Sequence, residues 1–360
     1  MKILVYSNCP LDPALGSGKT RVRFSEGLRA RGHSVRVIEP DAVRLWPRLR
    51  AGHRFRLALG ARWHLQRTLA RESFDLVEIN GGEFGWLARW LHRRRQRPLL
   101  VHRTDGCELL ATAAGETAGA TAPLHRALDR AAFTHIDACA ALCGADRAHL
   151  VRGGFLPAAR VAVVPPGLDD EFLATSAPTA RPPRLAFLGS WIERKGVDTL
   201  VAAVTPLLER HPETELELIG TSRGEEELRA LFPTPLRPRL HVPGRISREE
   251  LAQRLTRASI FVLPARYEGF GMATAEAMAC GCAAVTTPTG FGADLRDQEN
   301  ALVVPIGDAP ALRRALEHLI TDAALRHRIA LAGWRTVQEF RWERAVAQLE
   351  TAYLGWLAQR

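Results

Sequence analysis

At 360 residues, 46% hydrophobic and 24% charged, the chain has the composition of a soluble globular protein. It is longer than the roughly 250–300 residues at which single cores stop growing, so two domains are expected. No apolar run approaches the ~20 residues of a membrane span, and Met1-Lys-Ile-Leu-Val-Tyr-Ser7 is too short for a signal peptide. Six cysteines without a C-x-x-C pair point to neither a zinc site nor a disulfide framework, and a cytoplasmic protein is expected. Charge is uneven: residues 1–165 hold 26 Lys+Arg against 14 Asp+Glu, and the remainder 23 against 25. A basic first half calls for an anionic partner, either a membrane surface or a lipid-phosphate acceptor; nucleic acid is the weaker choice, because no binding motif accompanies the charge.

In chain order, residues 2–7 form an apolar strand-like run, followed by a loop containing Gly16-Ser17-Gly18-Lys19-Thr20. A helix-like stretch to Arg31 and a second strand at Ser34–Ile38 complete a βαβ unit with a glycine-rich turn at the sheet's carboxyl edge. Gly-Ser-Gly-Lys-Thr invites a P-loop reading, but that motif needs glycine at position 13, which is proline. A flexible turn is the plain alternative. From Arg44 to Arg71 there are eight arginines and no acid, with Trp46, Phe55 and Trp63 interleaved. A helix with arginine on one side and Trp/Leu on the other suits an anionic membrane interface; an ordinary surface helix explains the pattern equally well. Arg93, Arg94, Arg95 and Arg97 extend the basic run.

Leu99–His102 reads as a strand ending in histidine, with Arg103–Gly106 as the loop beyond; taken alone, such a histidine is structural. Residues 107–135 are Ala-rich and helical in part, and Asp137–Leu142 gives a strand. Val161–Val164 gives another, ahead of Pro165-Pro166-Gly167-Leu168-Asp169. The first domain is placed at 1–172 and the linker, rich in Ala, Pro, Ser and Thr, at 173–183.

The second domain, 184–340, restarts the alternation at Arg184–Gly189. Arg194 and Lys195, at the entrance of the next helix, would suit a diphosphate. Glu215–Gly220 is the next strand, Ser247–Glu250 has the form of a capping box, and Ile260–Pro264 is an all-apolar central strand. That strand delivers Glu268, a Gly-Phe-Gly turn and an Ala-rich helix carrying Glu276. The spacing puts one carboxylate in a loop beside a ligand and the other two turns into a helix whose start attracts phosphate. The bland alternative is a cap-like glutamate and a solvated one. Ala283–Thr287 is a strand, and helices follow Asp308, with Trp334 and Trp342 in the core.

Glu268-Gly-Phe-Gly-Met272 and Glu276-Ala-Met-Ala-Cys-Gly281, with the apolar strand after them, resemble the E-x7-E signature of retaining glycosyltransferase family 4. The resemblance implies an α/β protein of GT-B type, two Rossmann-like parallel-sheet domains facing a central cleft. It implies transfer of a sugar, with retention, from a nucleoside diphosphate-sugar to a glycan, lipid-linked or small-molecule acceptor, as in cell-envelope polysaccharide biosynthesis. By the same resemblance Glu276 takes the ribose diol, while Glu268 and the N–H groups of Gly269, Phe270, Gly271 and Met272 address the sugar and phosphates. Lys195 matches the family's lysine; Ser190 replaces its arginine, and Arg194 stands in. Gly244, Arg245 and Ile246 resemble the turn passing the base. Gly16 and Gly18 loosely match the first glycine-rich loop, and His102 matches a histidine near the donor sugar. Asp105 would accept from the imidazole or from an acceptor hydroxyl. Pro165–Asp169 resembles an Asn-Gly-Val-Asp turn with proline for asparagine. Loop Thr289–Gly292 either lets backbone approach the sugar or is a bare turn, and residues 341–360 return to the first domain. No Asp-x-Asp motif occurs, so no divalent metal is expected. The expected location is cytoplasmic, peripheral on the inner face of the membrane. A nucleotide-sugar epimerase, a non-catalytic nucleotide-sugar-binding module and a P-loop NTPase are the competing readings.

Overall fold

The computed structural model describes residues 1–12, 16–46, 49, 52–106, 109 and 122–360. Pro13, Arg48, Arg50, Cys107 and the Ala-rich stretch up to residue 121, apart from Leu109, lie outside the described residues. The chain divides into two compact units, Met1–Gly167 with Trp342–Arg360, and Leu168–Arg341. No described helix is long and apolar enough to cross a membrane.

In the first unit, short runs of Val, Ile, Leu and Ala form six parallel strands: β1 (Lys2–Tyr6), β2 (Ser34–Ile38), β3 (Leu76–Ile79), β4 (Leu99–Arg103), β5 (Ala138–Ala141) and β6 (Val161–Val163). They lie in the order β2-β1-β3-β4-β5-β6, with Ile3 opposite Val35 and Leu76. Strand alternation sends Leu4 and Tyr6 to one face, against Leu57, Leu65 and Leu87, and Ile3 and Val5 to the other, against Phe24, Trp342 and Tyr353. The sheet is therefore covered on both sides, as an all-parallel sheet must be.

The second unit repeats the plan with β7 (Arg184–Leu188), β8 (Glu215–Ile219), β9 (Leu240–His241), β10 (Ile260–Leu263), β11 (Ala283–Thr286) and β12 (Leu302–Val303). Their order, β12-β11-β10-β7-β8-β9, is that of the dinucleotide-binding Rossmann sheet. The direction of winding reverses between β7 and β10, and beyond the carboxyl ends of strands at such a point ligands bind in sheets of this kind. The first sheet reverses between β1 and β3, an order of the flavodoxin type.

Residues 168–172, read from the sequence as the end of the first domain, lie in the second unit, where the Leu168 N–H donates to Phe340 O at 2.7 Å. Helix Trp342–Ala358 belongs to the first unit and is tied in by a buried polar knot. Tyr353 Oη donates to Glu78 Oε2 at 2.5 Å, while Arg103 Nε and Asn80 Nδ2 each donate to Glu78 Oε1 at 2.8 Å. All four side chains are buried, so removing one donor leaves Glu78 short of a partner that water cannot replace. Tyr353→Phe is expected to cost the first unit about 1–3 kcal/mol, read as an earlier unfolding transition in urea. An unchanged transition would mean that the knot does not hold the helix.

Candidate active site

The crevice of the second sheet is built by two loops that touch. After β7 the chain makes a 3-10 turn at Glu193–Lys195, then Gly196 at φ +66° before helix Val197–Arg210. A Cβ on Gly196 would lie 1.9 Å from Pro264 O, just after β10, so only glycine allows this approach. The loops are stitched by Arg266 N–H to Arg194 O at 2.8 Å and by Arg194 Nη1 to Tyr267 O at 3.4 Å. Lys195 Nζ then meets Glu268 Oε1 at 2.6 Å, the side chains 13% and 9% exposed. The expectation that Lys195 opens a helix is met one turn early: it sits in the 3-10 turn, and its ammonium points back across the crevice to Glu268.

Beyond Glu268, Gly269 and Phe270 lead to Gly271 at φ +95°, which precedes helix Met272–Ala279. No side chain caps this helix, so its first N–H groups keep the anion-attracting character of a helix start. Glu276 lies in its second turn, buried, and its Oε1 accepts from Arg248 Nη2 at 2.8 Å. Arg248 Nη2 donates equally to Asp169 Oδ2, at 2.8 Å. Each signature glutamate thus has one oxygen held by a cation, and its other oxygen carries no hydrogen bond among the described residues. Gly244, Arg245 and Ile246 form the partly exposed loop before the helix Arg248–Arg257. Ser247 Oγ accepts from the Glu250 N–H at 3.2 Å, but the Glu250 carboxylate turns to Arg254 Nε, so half of the expected capping box forms. Phe270 stacks on Phe291 at 5.3 Å, and the Phe291 N–H donates to Phe270 O at 2.6 Å. Gly290 is explained by this packing, since a Cβ there would lie 2.5 Å from Phe270 O. Among the described residues no three His, Cys, Asp or Glu side chains gather as a metal site.

Sequence comparison bears on this arrangement in both units. Residues 16–167 match a glycosyl transferase 4-like domain, and residues 182–322 match the domain described as glycosyl transferases group 1. Phosphatidyl-myo-inositol mannosyltransferase of Mycobacterium leprae is 26% identical over 92% of this chain and 91% of its own length. D-inositol 3-phosphate glycosyltransferase of Xylanimonas cellulosilytica is 29% identical over 78% of this chain and 72% of its own. The chain belongs to glycosyltransferase family 4. Among solved structures, sucrose-phosphate synthase from Thermosynechococcus elongatus superposes with a TM-score of 0.79 at 23% identity, with both chains fully covered. Anabaena HepE in complex with UDP gives 0.71 at 18% identity over 98% of this chain and 99% of the other, so the fold is GT-B.

In the first unit of this glycosyltransferase, several residues take positions that the sequence did not foretell. Gly16 and Gly18 are not in a loop: they open helix Gly16–Ala30, and Thr20 Oγ1 bonds back to Gly16 O at 2.8 Å. A P-loop threonine would instead face a metal, which weighs against the NTPase reading. Gly18 is required sterically, since a Cβ would lie 2.4 Å from Asp12 O. His102 is fully buried, with its ring 4.5 Å from that of Phe133 and Nε2 accepting from the Gly81 N–H at 3.2 Å. The enclosed imidazole, by accepting from the Gly81 N–H, holds the loop after β3. Asp105 is held by Arg21, a fully buried arginine, through Nη1 at 3.0 Å and a second bond from Nη2. No spacing signalled Arg21, because its partner lies in a loop remote in sequence.

The basic stretch also departs from expectation. Arg56 is buried and donates to the carbonyls of Leu45, Trp46 and Leu49, and Arg54 pairs with Glu83 and Asp129. The outer surface of helix His53–Leu69 mixes Leu59, Arg62, Trp63 and Arg67 instead of separating charge from apolar residues. A shallow depression of about 570 Å³ there is lined by Leu45, Trp46, Leu59, Arg62, Trp63 and Gln66. It adjoins one of about 460 Å³ that shares Leu59 and Arg62 and brings in Trp86, Arg89 and Trp90.

Burial pushes the His102 pKa down to about 3. The unfolded chain, at about 6.5, therefore binds a proton that the folded protein refuses between those values. Stability is full above about 6.5 and falls as the pH drops toward 3. Burial lowers His53, His64, His135 and His149 in the same direction. His102→Gln should flatten the decline of melting temperature between pH 6.5 and 4.5; a slope parallel to wild type would refute the assignment.

Proposed function

We propose that this enzyme is a retaining glycosyltransferase that moves a sugar from a nucleoside diphosphate-sugar to a glycan, lipid-linked or small-molecule acceptor. The observation carrying this reading is the Lys195–Glu268 pair beside an uncapped helix start, with Glu276 in that helix's second turn. The donor's diphosphate would take Lys195, with Arg194 and the N–H groups of Gly269–Met272 beside it, and Glu268 would turn to the sugar hydroxyls. Glu276 would accept from the ribose diol, and Gly244, Arg245 and Ile246 would pass the base. Charge develops on the leaving diphosphate, so fixed cations in a water-poor crevice supply the largest catalytic effect. These groups would do the work of a metal. Loss of activity in EDTA that magnesium restores would contradict that point; unchanged turnover is expected.

The names of the relatives, a phosphatidyl-myo-inositol mannosyltransferase and a D-inositol 3-phosphate glycosyltransferase, support a polyol or lipid-linked acceptor over a protein. Membership of a transferase family favours transfer over epimerisation or binding alone. In a screen of UDP-, GDP- and ADP-sugars, the true donor should raise the melting temperature, and the labelled sugar should then pass to an acceptor with its anomeric configuration kept. An epimerised donor, an inverted product or tight binding without turnover would each reject the reading.

The exposed Trp46, Trp63 and Trp86, set among Arg62, Arg67 and Arg89, suit the headgroup region of an anionic membrane, where aromatic rings and guanidinium groups are both satisfied. On this reading the enzyme works in the cytoplasm at the inner face of the membrane. Liposomes containing anionic lipid should carry it upward in flotation, less so at high salt; absence of binding at any salt would reject the membrane partner.

A further inference from the structure

Arg248 is the residue of the second unit's site that no motif announces, and it sits where an arginine is disfavoured. It begins the helix Arg248–Arg257, at the positive end of the helix dipole, whereas Arg254 and Arg257 occupy the favourable last turn. Tertiary partners hold it there. Nη2 donates to both Asp169 Oδ2 and Glu276 Oε1, and the guanidinium lies 4.7 Å from the centre of the Phe172 ring. The side chains of Asp169 and Glu276 are 8% and 6% exposed, and both reach the same nitrogen. The Arg248 side chain is 41% exposed, so it bridges the two carboxylates from the solvent side and offsets their like charges where they meet. Three segments far apart in the chain converge here: the turn before Asp170–Leu173, the start of the 248–257 helix, and the middle of Met272–Ala279. Arg248 also follows Gly244-Arg245-Ile246 by a single capping residue, so it links the loop assigned to the base with the carboxylate assigned to the ribose.

We infer that Arg248 is a positioning residue for Glu276: it holds Oε1 in place and leaves Oε2 for the ribose diol. This role rests on the nucleoside diphosphate-sugar reading given above. Arg248 need not touch the nucleotide; it gives the site its preference for a nucleotide that carries ribose hydroxyls. Without it, Oε1 of Glu276 would lose its donor, and the carboxylate would no longer be presented as a fixed acceptor.

The test is titration calorimetry of UDP, GDP and ADP, each beside its 2′,3′-dideoxy analogue, against wild type, Arg248→Met, Arg248→Gln and the double variant Arg248→Met/Asp169→Asn. Wild type should prefer its best ribonucleotide over the dideoxy form by about tenfold or more, the size expected for hydrogen bonds to a charged group. Arg248→Met should bring that ratio close to one by weakening the ribonucleotide alone. The double variant, which also removes the charge that Arg248 offsets, should restore most of it. Arg248→Gln keeps one hydrogen-bond donor and so guards against misfolding; it should give an intermediate ratio. A wild-type ratio in either single variant overturns the role, as does an equal loss of both nucleotides, which marks a structural part, or a double variant no better than Arg248→Met. If wild type binds none of the six nucleotides, the nucleotide reading itself falls and the role of Arg248 with it.

Discussion

The ion pair between Lys195 and Glu268 is the contact on which the second unit's crevice depends. It spans the point where the second sheet reverses its winding, and it joins the loop after β7 to the loop after β10. Both side chains are largely shielded, so either one alone would be a costly uncompensated charge. The pair makes the crevice both stable while empty and cationic when an anion enters. A ligand that takes only Lys195 strands Glu268, whereas a ligand bearing both phosphates and hydroxyls satisfies the two together.

A second pair repeats the device eight residues further on, in the second turn of helix Met272–Ala279. Glu276 is held by Arg248, as Glu268 is by Lys195, and in each case one carboxylate oxygen is left unengaged among the described residues. Holding the acceptors in place before binding reduces the ordering cost when substrate arrives. Backbone geometry sustains both pairs: Gly196 allows the two loops to meet, and Gly271 turns the chain into the helix that carries Glu276.

Much of this was legible beforehand. Strand positions followed from short apolar runs, and the spacing of Glu268 and Glu276 marked the site because the backbone that carries them is local. Arg248 was not legible, since its partners lie 79 and 28 residues away and no local rule pairs them; an arginine opening a helix was the one available signal. Net charge misled in its own way. Arg21, Arg56 and Arg103, all in the basic half, are buried and bonded to Asp105, to loop carbonyls and to Glu78, so the count of arginines overstates the charge on the surface. The Gly16–Thr20 segment read as a loop because glycines and a charged residue mask helix propensity; packing of Phe24 and Leu28 on the sheet decides for helix.

The most direct measurement of the central claim is the rate of donor consumption by Lys195→Ala and Glu276→Ala variants, after both are shown to retain the wild-type circular dichroism spectrum. The account predicts that kcat/KM falls by about 10²-fold or more in each. Folded variants that consume a nucleotide-linked sugar at the wild-type rate would contradict it.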